Sequence, residues 1–181
     1  KNKKVLITGH TGFKGSWLTL MLHRLEAKII GYAINPISKP DFFDEMRLSR
    51  LLIKDYRKNI NELTSLKKII KLNNPQIVFH MAAQSSVLVS YDDPIDTIET
   101  NVIGTANILE AIRHTKSVKV GVIVTTDKVY LNLEKKKKFL ENDHLGGHDV
   151  YSGSKAASEI IFQSYQKSFF ESNSCQISTV R

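Results

Sequence analysis

Tyr151 and Lys155 stand four residues apart near the start of a segment with helical patterning. On a helix that spacing places both side chains on one face. A free tyrosine titrates at about 10, and an ammonium group beside it stabilises the phenolate and draws that value toward neutrality. Such a pair can take the proton from an alcohol while its carbon gives up hydride to a nicotinamide. The same spacing recurs by chance, so the pair gains weight only in company. A second group, Thr125, Thr126, Asp127 and Lys128, closes an apolar run over residues 118–125. Ligands of open α/β sheets bind outside the carboxyl ends of the strands. An acid beside a base there suits proton transfer; a surface ion pair at a loop start is the alternative.

Company comes from the other end of the chain. Residues 5–8 read as a strand, followed by Gly9, His10, Thr11, Gly12, Phe13, Lys14 and Gly15, and then by a helix. Glycines spaced G-x-x-G-x-x-G allow a tight strand-to-helix turn and close approach of the backbone to a pyrophosphate. The helix start then offers free N–H groups and a partial positive charge to that anion. Thr11, Phe13 and Lys14 complete this candidate dinucleotide turn. After the second strand, residues 31–36 read Gly-Tyr-Ala-Ile-Asn-Pro, with no acid for the ribose and no arginine for a 2′-phosphate. Asn35 can still hydrogen-bond a ribose hydroxyl, which favours NAD over NADP. Asp55, read as following the third strand, is a candidate acceptor for the adenine amino group or a solvated turn acid.

These residues need a frame to hold them. Short β-branched runs at 5–8, 28–34, 51–54, 76–80, 118–125 and 176–180 predict strands. Helical spacing predicts helices over 16–25, 62–71, 94–113 and 151–170, the third with a stripe of Ile95, Ile98, Val102, Thr105, Ile108, Leu109 and Ile112. Apolar strands alternating with helices predict an α/β fold, a doubly wound parallel sheet covered on both faces. The 181 residues suffice for one domain with a full core, and 41% apolar with 24% charged residues fits an ordinary globular chain. The net charge of +8 suits anionic partners, and nucleic acid has no other support. The single cysteine, Cys175, cannot form an internal disulfide and fits the cytoplasm. No apolar run approaches the roughly 18 residues of a membrane span. The apolar part of residues 5–8 is too short for a signal peptide.

Together the segments TGHTGFKGSW (8–17), GYAINP (31–36), HMAAQ (80–84), TDKVY (126–130) and LGGHDVYSGSK (145–155) resemble the extended short-chain dehydrogenase/reductase family, in the branch of nucleotide-sugar dehydratases that act on CDP-glucose. The resemblance implies a Rossmann-like NAD-binding domain over 1–181. It implies tightly bound NAD, CDP-glucose as substrate and CDP-4-keto-6-deoxy-glucose as product. It assigns Tyr151, with Lys155, the proton of the sugar 4-hydroxyl, and gives Thr126 a hydrogen bond to that hydroxyl. Asp127 becomes the acid for the 6-hydroxyl and Lys128 the base for the 5-proton, which requires a neutral amine and so burial or nearby positive charge. Ala82, Ala83, Gln84 and Asn101 carry over to the cofactor site, and Gln84, Ser85 and Ser86 to the sugar. No metal is implied. Relatives pair helices 94–113 and 151–170, so a homodimer or higher homo-oligomer is expected.

Asn35, Lys54, Lys58, Val150 and the run Lys135–Lys138 depart from the family pattern. Family members are about twice as long, so the chain is expected to be the trimmed front part of a longer enzyme, with the C-terminal substrate domain largely absent. Another nucleotide-sugar epimerase or dehydratase, and an NAD-binding domain without turnover, remain as alternatives.

Overall fold

Six parallel strands form one sheet in the order β3-β2-β1-β4-β5-β6 in the computed structural model, which describes residues 1–37, 39–134, 138–171 and 175–181. Strand β1 (Lys4–Thr8) leads through the glycine turn into α1 (Phe13–Arg24) and back to β2 (Lys28–Ala33). A short helix, α2 (Phe42–Glu45), and a 3₁₀ turn (Leu48–Leu51) precede β3 (Leu52–Arg57); helix α3 (Leu63–Asn73) then crosses to β4 (Ile77–His80). Helices α4 (Val87–Asp92) and α5 (Pro94–Ile98) are followed by a π-helical turn (Glu99–Ile103), α6 (Gly104–Arg113) and β5 (Val120–Val124). A 3₁₀ turn (Asp127–Val129), α7 (Val150–Tyr165), a second π turn (Gln166–Phe170) and β6 (Gln176–Val180) complete the order.

The order is doubly wound, with its reversal between β1 and β4, whose ends align at Thr8 and His80. Alternation along β1 sends Leu6 to one face and Val5 and Ile7 to the other. The first face carries the larger core, built from Leu66, Ile70, Ile108, Leu109, Ile112 and Phe162 of α3, α6 and α7. On the other face α1 covers β1 and β2 through Leu18 and Leu22. Cover is uneven there, since Val120 and Val180 on β5 and β6 stay exposed.

Two sequence expectations change. The single stripe through 94–113 is broken. Ile95 and Ile98 are exposed, whereas Thr105, Ile108, Leu109 and Ile112 are buried. The intervening π turn widens the coil and rotates the phase of the residues after it. Asp55 lies inside β3 rather than after it, because β3 runs on to Arg57. Helices α2 and α4 are too short to show a period. Most of the run Lys135–Lys138 falls outside the described residues; Lys138 is exposed.

One buried histidine locks the crossover. His80 Nδ1 accepts the Thr8 hydroxyl at 2.7 Å, and Thr8 Oγ1 in turn accepts the amides of Met81 and Ala82. On the far side Thr105 gives its proton to the Asn101 carbonyl, so His80 Nε2 is the donor toward Thr105. Burial, with the charge of Lys155, pushes the imidazole down to about 3. Between that value and the unfolded value of about 6.5 the unfolded chain binds the extra proton, so stability drops as pH falls through this window. His80→Asn should flatten the wild-type curve of unfolding free energy against pH by up to about 1.4 kcal/mol per pH unit between pH 6 and 4. Parallel curves from urea titrations would contradict this.

Candidate active site

The glycine turn sits at the reversal point. Gly9 adopts φ +74°, and a Cβ there would lie 2.6 Å from the Ala82 amide nitrogen; one on Gly15 would lie 2.2 Å from the Gly9 carbonyl oxygen. At Gly12 the same atom meets only the Gly9 oxygen, at 3.4 Å, and otherwise faces open space. Two glycines therefore close the turn and the third leaves a cradle outside it. Helix α1 begins there with no side-chain cap and no acid in its first turn, so its positive end is left for an anion. Phe13 and Lys14 are exposed beside it, and Thr11 is buried with its hydroxyl on the Ile34 carbonyl at 3.1 Å. Asn35 is exposed in the following loop. These features fit a dinucleotide phosphate bridge.

Asp55 is engaged within the protein. Its Oδ1 lies 3.0 Å from His10 Nε2 and its Oδ2 2.8 Å from the Arg57 guanidinium. Burial would raise this carboxyl, but hydrogen bonds from His10 and Arg57 outweigh it and hold it below its ordinary value. His10 is wholly buried, edge-on to Phe43, and the lack of a side chain on Gly31 makes room for its ring. Sequence reasoning passes over His10, although it stands inside the most specific segment.

Ala82, Ala83 and Gln84 follow β4, and Gln84 turns inward. Its amide nitrogen donates to the Ser86 carbonyl and Thr97 Oγ1, and its carbonyl accepts the Ser86 amide. Asn101, 1% exposed, clamps this loop to α7. It accepts the Gln84 amide and donates to the Gln84 carbonyl and to Ser154 Oγ, all within 3.0 Å. Ser86 caps α4, while Ser85 is exposed. Gln84 and Asn101 thus shape the loop with their side chains, leaving Ala82, Ala83 and Ser85 to line it.

Helix α7 starts at an Asp149 cap, with Val150 first and Tyr151 second. Lys155 is buried, its Nζ 3.3 Å from the Val124 carbonyl. Burial lowers its ammonium to about 8; Glu159 opposes this and Lys14 adds to it. The turn Asp127–Val129 packs against α7, which brings both candidate groups to one end of the sheet. Thr126 caps that turn, its Oγ1 accepting the Lys128 amide and donating to Asp127. Asp127 and Lys128 lie 4.0 Å apart with side chains 76% and 60% exposed. The burial that would neutralise Lys128 is not supplied by the described residues.

Residues 6–178 match the family described as GDP-mannose 4,6 dehydratase. The chain belongs to that family. Its curated relatives include the CDP-glucose 4,6-dehydratase of Salmonella typhimurium, 41% identical over 94% of this chain and 47% of that protein. Among solved structures, the UDP-glucose 4-epimerase of Thermotoga maritima with UDP-glucose matches with a TM-score of 0.82 at 25% identity, covering 98% of this chain and 54% of that one. The UDP-glucuronic acid 4-epimerase of Bacillus cereus, in complex with UDP-glucuronic acid and NAD, gives 0.81 at 25% identity, with 98% and 55% covered. The chain spans about half the length of these relatives. Family membership accounts for the Rossmann-like sheet and places the chain among nucleotide-sugar dehydratases and epimerases. Among the described residues no helix is long and apolar enough to cross a membrane, and no group of three metal-ligating side chains occurs.

In this dehydratase-family chain the Asn101 clamp is a stability determinant. Asn101→Ala leaves the Gln84 amide and carbonyl without their partner, and Ser154 Oγ loses a donor while keeping its own bond to the Tyr151 carbonyl, at a cost of about 2–4 kcal/mol. Urea denaturation measures it, and a loss below about 1 kcal/mol would show that the loop is held elsewhere.

Proposed function

We propose that the protein containing this chain is a CDP-glucose 4,6-dehydratase, with residues 1–181 forming its NAD-binding and acid–base part. The observation that carries the reading is the Thr126-Asp127-Lys128 turn facing the Tyr151–Lys155 helix in a chain 41% identical to such an enzyme. NAD, when bound, supplies a hydride acceptor that returns the hydride later in the same cycle. Gly9, Thr11, Gly12, Phe13, Lys14 and Gly15 would hold its phosphates, with Asn35, Ala82 and Ala83 along the rest.

Tyr151 takes the proton of the sugar 4-hydroxyl, and Thr126 orients that hydroxyl. Lys155, low for a lysine at about 8, keeps its proton through neutral pH and stabilises the phenolate. The carbonyl formed at position 4 acidifies the proton at position 5. Lys128 removes that proton while Asp127 protonates the departing 6-hydroxyl, so that water leaves and a double bond forms between positions 5 and 6. A sugar seated over the turn strips water from Lys128 and supplies the burial its base role requires. Self-association across α5 and α7, whose exposed faces carry Ile95, Ile98 and Ile160, belongs to the same reading, as does a cytoplasmic location.

The protein encoded by the complete source gene, given CDP-glucose, should form a product with the ultraviolet absorbance of a 4-keto-6-deoxy sugar in alkali. Product only from another nucleotide sugar would replace the substrate assignment. Tyr151→Phe should lower turnover by roughly 10²–10⁴-fold while NAD binding, read by calorimetry, persists. Full activity in that variant would overturn the role of Tyr151.

A further inference from the structure

Glu159 takes no part in these proton transfers, yet it is 1% exposed at the heart of the site. Its carboxylate accepts the hydroxyls of Thr125, just after β5, and of Thr179 on β6. It also accepts the Arg181 guanidinium at 3.0 Å. Arg181 then reaches across the β5 end. It donates to the Tyr130 hydroxyl at 2.8 Å and the Glu141 carbonyl at 2.9 Å, and its charge lies 4.9 Å above the Tyr130 ring. That ring stacks on Phe139 at 4.8 Å. Tyr130 directly follows the turn holding Asp127 and Lys128, so one ion pair ties α7, β6 and the acid–base turn together.

Burying a carboxylate is costly even when a partly exposed guanidinium pairs with it, and apolar side chains of similar volume often hold such a place as well or better. A charge kept here calls for a use of the charge itself. Lys155 supplies one, since it precedes Glu159 by one turn on the same helix and is itself buried. The groups around Lys155 are otherwise Lys14 of the glycine turn, the neutral His80 of β4, the Val124 carbonyl of β5 and Tyr151 on its own helix. Among these described groups Glu159 is the carboxylate that favours the ammonium form.

We propose that Glu159 and Arg181 are a positioning pair for the reaction: the carboxylate keeps Lys155 an ammonium beside Tyr151, and the guanidinium fixed on that carboxylate pins the loop that carries Asp127 and Lys128. This rests on the functional reading above and extends it to two residues that touch neither the sugar nor the dinucleotide.

The test tracks Lys155 by NMR in the protein encoded by the complete source gene, carrying ¹³C-labelled lysine, with hydrogen exchange of Leu131 and Gly146 read in parallel. The wild-type midpoint is expected at about 8. Glu159→Gln should move it down, and Arg181→Met, which leaves the carboxylate charge to Lys155 alone, should move it up. Opposite shifts are a signature that simple loosening of the fold would not produce. Should Glu159→Gln fail to fold, the upward shift in Arg181→Met decides alone. The same variant should speed exchange at Leu131 and Gly146, whose amides bond His144 and Val129, at least tenfold relative to β1. Arg181→Lys should recover the charge effect but not the loop protection. An unmoved Lys155 midpoint, or unchanged loop exchange in Arg181→Met, overturns the proposal. Unmoved midpoints with an inactive Tyr151→Phe would sink the coupling alone. Opposite shifts with an active Tyr151→Phe would sink the functional reading and leave the coupling standing.

Discussion

A methyl group on Gly9 would lie 2.6 Å from the backbone of Ala82, and much of the molecule depends on that lack of room. Strands β1 and β4 are neighbours in the sheet although some seventy residues separate them, and their outgoing chains part company above that contact. The parting opens a crevice at the carboxyl end of the sheet. The Thr8–His80 hydrogen bond fixes its floor, the α1 start and the Ala82–Gln84 loop form two sides, and α7 forms a third. Buried polar contacts tie the floor to the β4 loop and that loop to α7. Asn101 is the busiest of these, joining the β4 loop to α7 from inside a π turn.

Polar burial therefore does different work here from apolar burial. The large core under α3, α6 and α7 holds the helices against the sheet. Hydrogen bonds of Thr8, His80, Asn101, Thr105, Ser154 and Ser158 then fix how the helices sit on the sheet. An apolar core alone fills space tolerably in several arrangements, whereas a buried donor left without its acceptor is penalised in all but one.

Much of the frame was legible in the sequence, because strands here are short apolar runs and the glycine spacing leaves few other turns. The positions of Tyr151, Lys155 and the Thr126–Lys128 turn were legible for the same reason, since each group is set by its neighbours in the chain. The features that escaped depend on partners far away. Nothing near His10 announces Asp55 and Arg57, and nothing near Glu159 announces Arg181. The phase break at the π turn was hidden because its residues read as an uninterrupted helix. Asp55 looked like a loop acid since β3 carries an exposed edge of charged side chains. Gln84 and Asn101 read as dinucleotide residues, whereas their side chains bond the protein itself, through partners distant in the chain.

The exposure of Asp127 and Lys128 has a bearing on how such proteins diverge. Tyr151 and Lys155 belong to a helix laced into the sheet by buried hydrogen bonds, where replacements disturb the fold. The two residues after Thr126 hang outside that lacing, and their side chains support little else. A lineage can exchange them at almost no penalty to the fold. The turn can then vary in sequence while α7 and the sheet end beneath it stay as they are.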